Sequence, residues 1–162
     1  NNKKLTQLNN ATKTNLKTYI SYYRILTDAV NIKDAFIVNI AIQFDIIVLP
    51  DANSNETLLR CIAGLKDYFN IDNWSINQPI TLSQIYVLLD GIQGVQTVPR
   101  PDAQGVGGLQ ITNKYNGNYS PNKYSINTAT KMGVIFPPKD SSIFEVKFPN
   151  LDIKGKVITQ SF

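Results

Sequence analysis

The chain has 162 residues, 43% of them hydrophobic, a net charge of +4, no histidine and one cysteine. That is apolar material enough for one domain, with room for a small appended module. The same composition removes the commonest general base and metal ligand, any internal disulfide, and a structural zinc site.

Charge is gathered at one end. Residues 1–33 carry Lys3, Lys4, Lys13, Lys17, Arg24 and Lys33 against Asp28 alone, a local balance of +5. These cations are spaced among Asn and Thr at helical intervals and are expected to form a solvated helix face. No run approaches the roughly 18 apolar residues of a membrane span. No signal peptide is expected behind the opening Asn-Asn-Lys-Lys, and with no initiator Met the chain is expected to be a fragment of something longer.

Between residues 5 and 30, Leu5, Leu8, Leu16, Tyr19, Ile20, Tyr23, Leu26 and Val30 recur mostly three and four apart, which predicts a helix broken near Thr14-Asn15. Tyr19, Tyr22, Tyr23 and Arg24 give that segment an aromatic, cationic patch. From Phe36 to Val48 every second residue is apolar, the pattern of a strand whose other face is mixed (Asn39, Ala41, Gln43, Asp45). Asn53 followed by Glu56 is the capping signature of a helix reaching about Asn70, with Leu58, Leu59, Ile62, Leu65 and Phe69 as its buried stripe. An extended segment over 74–80 comes next. Thr81 with Gln84 repeats the capping signature for a second helix presenting Leu82, Ile85, Tyr86, Leu88, Leu89 and Ile92, stopped between Gly91 and Gly94. Residues 94–98 form a short third strand ended by Pro99 and Pro101.

The expected fold is therefore α+β: a small mixed sheet in the order strand-helix-strand-helix-strand over 34–99, preceded by an N-terminal helical segment over 1–33. Residues 100–117 read as a mobile loop. Residues 118–162 read as a β-rich C-terminal module with short candidates at 125–126, 133–136, 143–148 and 156–159. That module has too few apolar residues to fold well alone and is expected to lie against the first unit or a partner.

The search for chemistry is mostly negative. Cys61 lies beside Ile62 in an apolar helical run, the setting of a small buried hydrophobe. Asp51-x-Asn53-x-Asn55 matches half of a calcium loop, yet Glu56 stands where glycine is needed and Ile62 where glutamate is needed. Gly105-Val-Gly107-Gly108 lacks the Lys-Ser/Thr of a phosphate loop. No catalytic residue, metal or cofactor is expected, and the chain does not read as an enzyme.

The run from Leu16 to Ile40, containing Tyr-Arg-Ile-Leu-Thr-Asp, resembles the baseplate wedge subunit of T-even-type contractile-tailed phages, a family related to baseplate J. The Gly94-Val95 turn into Val98 and the run Phe-Glu-Val-Lys-Phe-Pro-Asn over 144–150 are similar to that family's C-terminal region, so the likeness spans about residues 16–157. It implies a non-enzymatic virion part in the tail baseplate, acting as a homodimer and touching other wedge proteins, with no nucleic acid, membrane or small-molecule substrate as partner. Two interface candidates follow. One is the patch of Tyr19, Tyr22, Tyr23 and Arg24, since Tyr and Arg are enriched at binding hot spots. The other is Phe144, Val146 and Phe148, either as anchors of an antiparallel edge pairing across a subunit boundary or as core of the C-terminal module. Two other functions stay open: a single-stranded nucleic-acid-binding module using the basic N-terminal helix, and a carbohydrate-binding or hydrolysing tail domain built on Tyr115, Tyr119 and Tyr124.

Overall fold

The computed structural model describes residues 4–23, 29–138 and 141–158. The chain has an α+β fold, with five helices and eight strands in two sheets among those residues. In order these are α1 (Asn10–Ser21), β1 (Phe36–Val48), α2 (Ser54–Tyr68), β2 (Ile80–Thr81), α3 (Leu82–Asp90), β3 (Val95–Thr97), β4 (Gln110–Lys114), α4 (Ile126–Ala129), β5 (Thr130–Lys131), β6 (Val134–Ile135), β7 (Ser142–Glu145), α5 (Pro149–Asp152) and β8 (Ile153–Val157).

Strand β1 organises the rest, and its bounds are those its period of two predicts. Val38, Ile40, Ile42, Phe44 and Ile46 are at most 1% exposed and face the core. Every other strand of the larger sheet pairs with β1. β4 runs antiparallel to residues 39–43, β7 parallel to 36–39 and β8 parallel to 42–46. Asn39, Ile42 and Gln43 each have partners in two ladders, so β4 lies along one edge of β1 while β7 and β8 lie end to end along the other. β3 joins antiparallel at Ile47 and Val48 through an irregular step.

The sheet departs from the expected strand-helix-strand-helix-strand platform in three ways. Residues 74–80 pair as strand only at Ile80, and β2 belongs to a separate three-stranded sheet with β6 and β5. Trp74 is instead a packing residue: its ring stacks on Phe69 with centroids 5.5 Å apart, and its Nε1 donates to the Tyr68 carbonyl. The expected loop over 100–117 contains β4, a direct partner of the central strand. The C-terminal residues supply two parallel strands to the same sheet as β1, and Ser125-Ile126 opens a one-turn helix rather than a strand.

Local chemistry explains the helix positions. The Asn53 side chain accepts from the Asn55 and Glu56 amides, capping α2. Glu56 does not reach back as a capping box would, because Arg60 one turn on takes its carboxylate. Thr81 makes no side-chain cap bond, and Gln84 accepts from the Tyr68 hydroxyl instead. The buried line of α2 is Thr57, Cys61 and Leu65, continuing to Phe69, whereas Leu59 is exposed. This helix packs directly across β8. At Gly155 a Cβ would clash with Phe44 Cζ and Cε2 and lie 2.5 Å from Leu58 Cδ1, so the close approach favours glycine.

Candidate interaction surface

Helix α1 is continuous through Thr14 and Asn15, with no break. Asn9 caps it by accepting from the Thr12 amide at 2.7 Å. Thr14, Thr18 and Ser21 turn their hydroxyls back onto carbonyls of the same helix. It reaches the body through Lys13, whose Nζ lies 2.5 Å from Asp34 Oδ2. No residue of α1 is buried.

That last fact is the unusual one. A helix of 12 residues with no buried side chain has its cap, its own side-chain-to-carbonyl bonds and the Lys13–Asp34 pair to hold it, and isolated helices of roughly that length are marginal in water. At its end Tyr19, Tyr22 and Tyr23 are 60%, 79% and 75% exposed. The rings of Tyr19 and Tyr23 meet with centroids 5.2 Å apart and planes at 53°. A hydrogen bond with the Tyr19 side chain, and secondarily desolvation, raise the Tyr23 phenol above its ordinary value of 10.0. Three of the four residues of the predicted patch are thus together on open surface; Arg24 lies outside the described residues.

Of the second predicted patch, Phe144 and Val146 are packing, the core alternative of the two expected. β7 runs parallel to β1, and Phe144 and Val146 are buried in the core. Phe148 is half-buried, with Tyr119 set edge-on at 5.4 Å and Lys4 Nζ 4.2 Å from its ring centroid.

Between them, Glu145 carries a role that sequence reasoning missed. Glu145 and Asn39 are both buried, on the mixed face of the sheet. Asn39 Nδ2 donates to Glu145 Oε2 at 2.7 Å, and the Leu5 amide donates to Glu145 Oε1 at 2.7 Å. Asn39 Oδ1 in turn accepts from the Ser120 amide at 2.7 Å. This network ties the segment leading into α1 to the central strand. The available signal was a polar residue in mid-strand (Asn39) and an acid between two core aliphatic or aromatic positions (Phe144 and Val146).

Two of the three tyrosines proposed for sugar stacking have their hydroxyls engaged within the fold. Tyr119 donates to the buried Asp152 carboxylate at 2.6 Å, and Tyr124 donates to the Phe136 carbonyl at 2.7 Å. Tyr115 stands apart beside Lys123. Desolvation first, then the Asp152 hydrogen bond and charge, push the Tyr119 phenol up to about 12 from 10.0. The folded state therefore holds this proton where the unfolded chain has lost it, so stability is expected to fall between pH 10 and about 12. Alkaline unfolding of the Tyr119→Phe variant checks this: that part of the pH dependence should disappear.

Other motifs resolve as structure. Cys61 is fully buried, and burial pushes its thiol up to about 11, away from nucleophilic use. The glycine-rich turn is held by Asp102, which accepts from the Gln104 and Val106 amides, and by Asp45, which accepts from Gly108. Among the described residues no three His, Cys, Asp or Glu side chains gather as metal ligands, and no helix is long and apolar enough to cross a membrane.

Comparison with known proteins finds no family whose model matches the chain and no curated protein that matches it.

Proposed function

We propose that this chain is a non-enzymatic assembly part of a contractile phage tail, a baseplate wedge component that works by self-association and by contact with neighbouring subunits in the virion. The observation that carries the reading is α1: a helix with no buried residue that ends in three exposed tyrosines. Surfaces of this composition are what protein interfaces bury, with Tyr supplying large contact area at low entropic cost. The resemblance of the 16–40 and 144–150 runs to wedge proteins supplies the setting. One of the two lysines of α1 is already paired with Asp34, which lowers the helix's value as a nucleic-acid surface.

Sedimentation velocity on the full chain tests the proposal. A monomer–dimer equilibrium in the micromolar range is expected. A sedimentation coefficient that stays monomeric to millimolar concentration would remove self-association, and salt-dependent retention of a single-stranded oligonucleotide would favour the nucleic-acid alternative.

A further inference from the structure

Strand β4 has a free edge, and a groove runs along it. Among the described residues β4 pairs only with β1. A cleft of about 480 Å³ is lined by Leu109, Gln110, Ile111 and Thr112 in succession. Consecutive residues of a strand alternate between sheet faces, so Gln110, Ile111 and Thr112 of β4 can line one cleft together only if it follows the strand's edge. The opposite wall is Ile126 and Asn127 of α4 with Thr130 of β5 and Ile135 of β6.

Hydrogen-bond parity says which backbone groups face it. Asp45 donates its amide to the Gly108 carbonyl, and in an antiparallel ladder the bonded pairs then recur at every second residue. Gln110, Thr112 and Lys114 therefore turn their amides and carbonyls to β1, while Ile111 and Asn113 turn theirs outward. No charged side chain lines the groove, but the chain beside it carries Arg100, Lys114 and Lys131, all exposed. Asp102, next to Pro101, is occupied by the amides of its own turn.

We propose that this groove takes an extended segment of a neighbouring protein, added as a further strand on β4, apolar at alternate positions and acidic at its ends. The backbone of such a segment would satisfy Ile111 and Asn113, its apolar side chains would meet Ile111, Ile126 and Ile135, and its acids would be drawn to the cations that lie within two residues of the lining. A second copy of this chain is a poorer occupant, because pairing β4 with β4 brings the same three cations to both sides. The inference rests on β4 alone and stands whether or not α1 mediates self-association.

The experiment is an NMR titration of the full chain with the capped peptide Asp-Val-Thr-Val-Thr-Val-Asp. Sub-millimolar binding is expected, with amide shifts confined to 109–114 and 126–135. N-methylating the peptide amides that face β4 should weaken binding by roughly tenfold or more, since each lost donor leaves a strand acceptor unpaired. The Lys114→Glu, Lys131→Glu double variant, altered only at exposed side chains, should lose the acidic peptide and accept its Lys-ended counterpart. The proposal fails if millimolar peptide moves no β4 resonance, or if methylated or Lys-ended peptide binds the unaltered chain equally well. It fails too if the β4 shifts grow with protein concentration alone, the mark of a copy-to-copy contact.

Discussion

Replacing Glu145 by alanine is expected to lower the free energy of unfolding by about 3 kcal/mol. Both oxygens of this buried carboxylate are engaged, one by Asn39 Nδ2 and one by the Leu5 amide. Removing the acceptor leaves a fully buried carboxamide donor without a partner, and buried polar groups stripped of partners cost far more than an average hydrogen bond contributes. For a domain of this size the loss is a large share of total stability. Urea unfolding gives the magnitude. Hydrogen exchange gives the location: the Leu5 amide should exchange faster, relative to global unfolding, than in the unaltered chain. An unchanged Leu5 rate would show that Glu145 does not hold the N-terminal segment.

The second large effect concerns association rather than folding. Combined Tyr19→Ser, Tyr22→Ser and Tyr23→Ser substitutions should weaken the proposed dimerisation by about a hundredfold, some 2–3 kcal/mol, the range of a hot-spot cluster. Intrachain stability should move by no more than about 0.5 kcal/mol, because the three rings are exposed and α1 buries nothing. Unfolding must be compared at dilutions where both proteins are monomeric, since dimerisation itself raises apparent stability. Dimerisation that survives the triple substitution would place the contact elsewhere on the molecule.

Sequence pattern revealed part of what depended on neighbours in the chain. The bounds of β1 follow from strict alternation, and the Asn53 cap follows from the preference of helix starts for a short side-chain acceptor. What it could not reveal were pairings settled at a distance. β4 presents only Ile111 as a buried side chain within its five residues and emerges from a glycine-rich turn, so it has little period of its own. The parallel docking of β7 and β8 is written in β1's two edges, not in either strand. Glu56 and Gln84 sit where capping boxes need them, yet Arg60 and Tyr68 reach them first. The patch at Tyr19, Tyr22 and Tyr23 was legible because exposed aromatics at the end of a basic helix are conspicuous. Phe144 and Val146 were ambiguous for a physical reason: alternation marks a strand with one apolar side, but it does not say whether that side meets the same chain or another.

The dependence of the larger sheet on a single strand has a consequence for how the protein is made. The two strands that cover one side of β1 follow it by about a hundred residues. A nascent chain leaving the ribosome must therefore hold an apolar, half-paired ribbon open until the last partners emerge. Contacts of such high sequence separation slow folding and prolong exposure to misassociation. Fragments that stop before residue 142 should accordingly be chaperone clients rather than smaller folded versions of the whole.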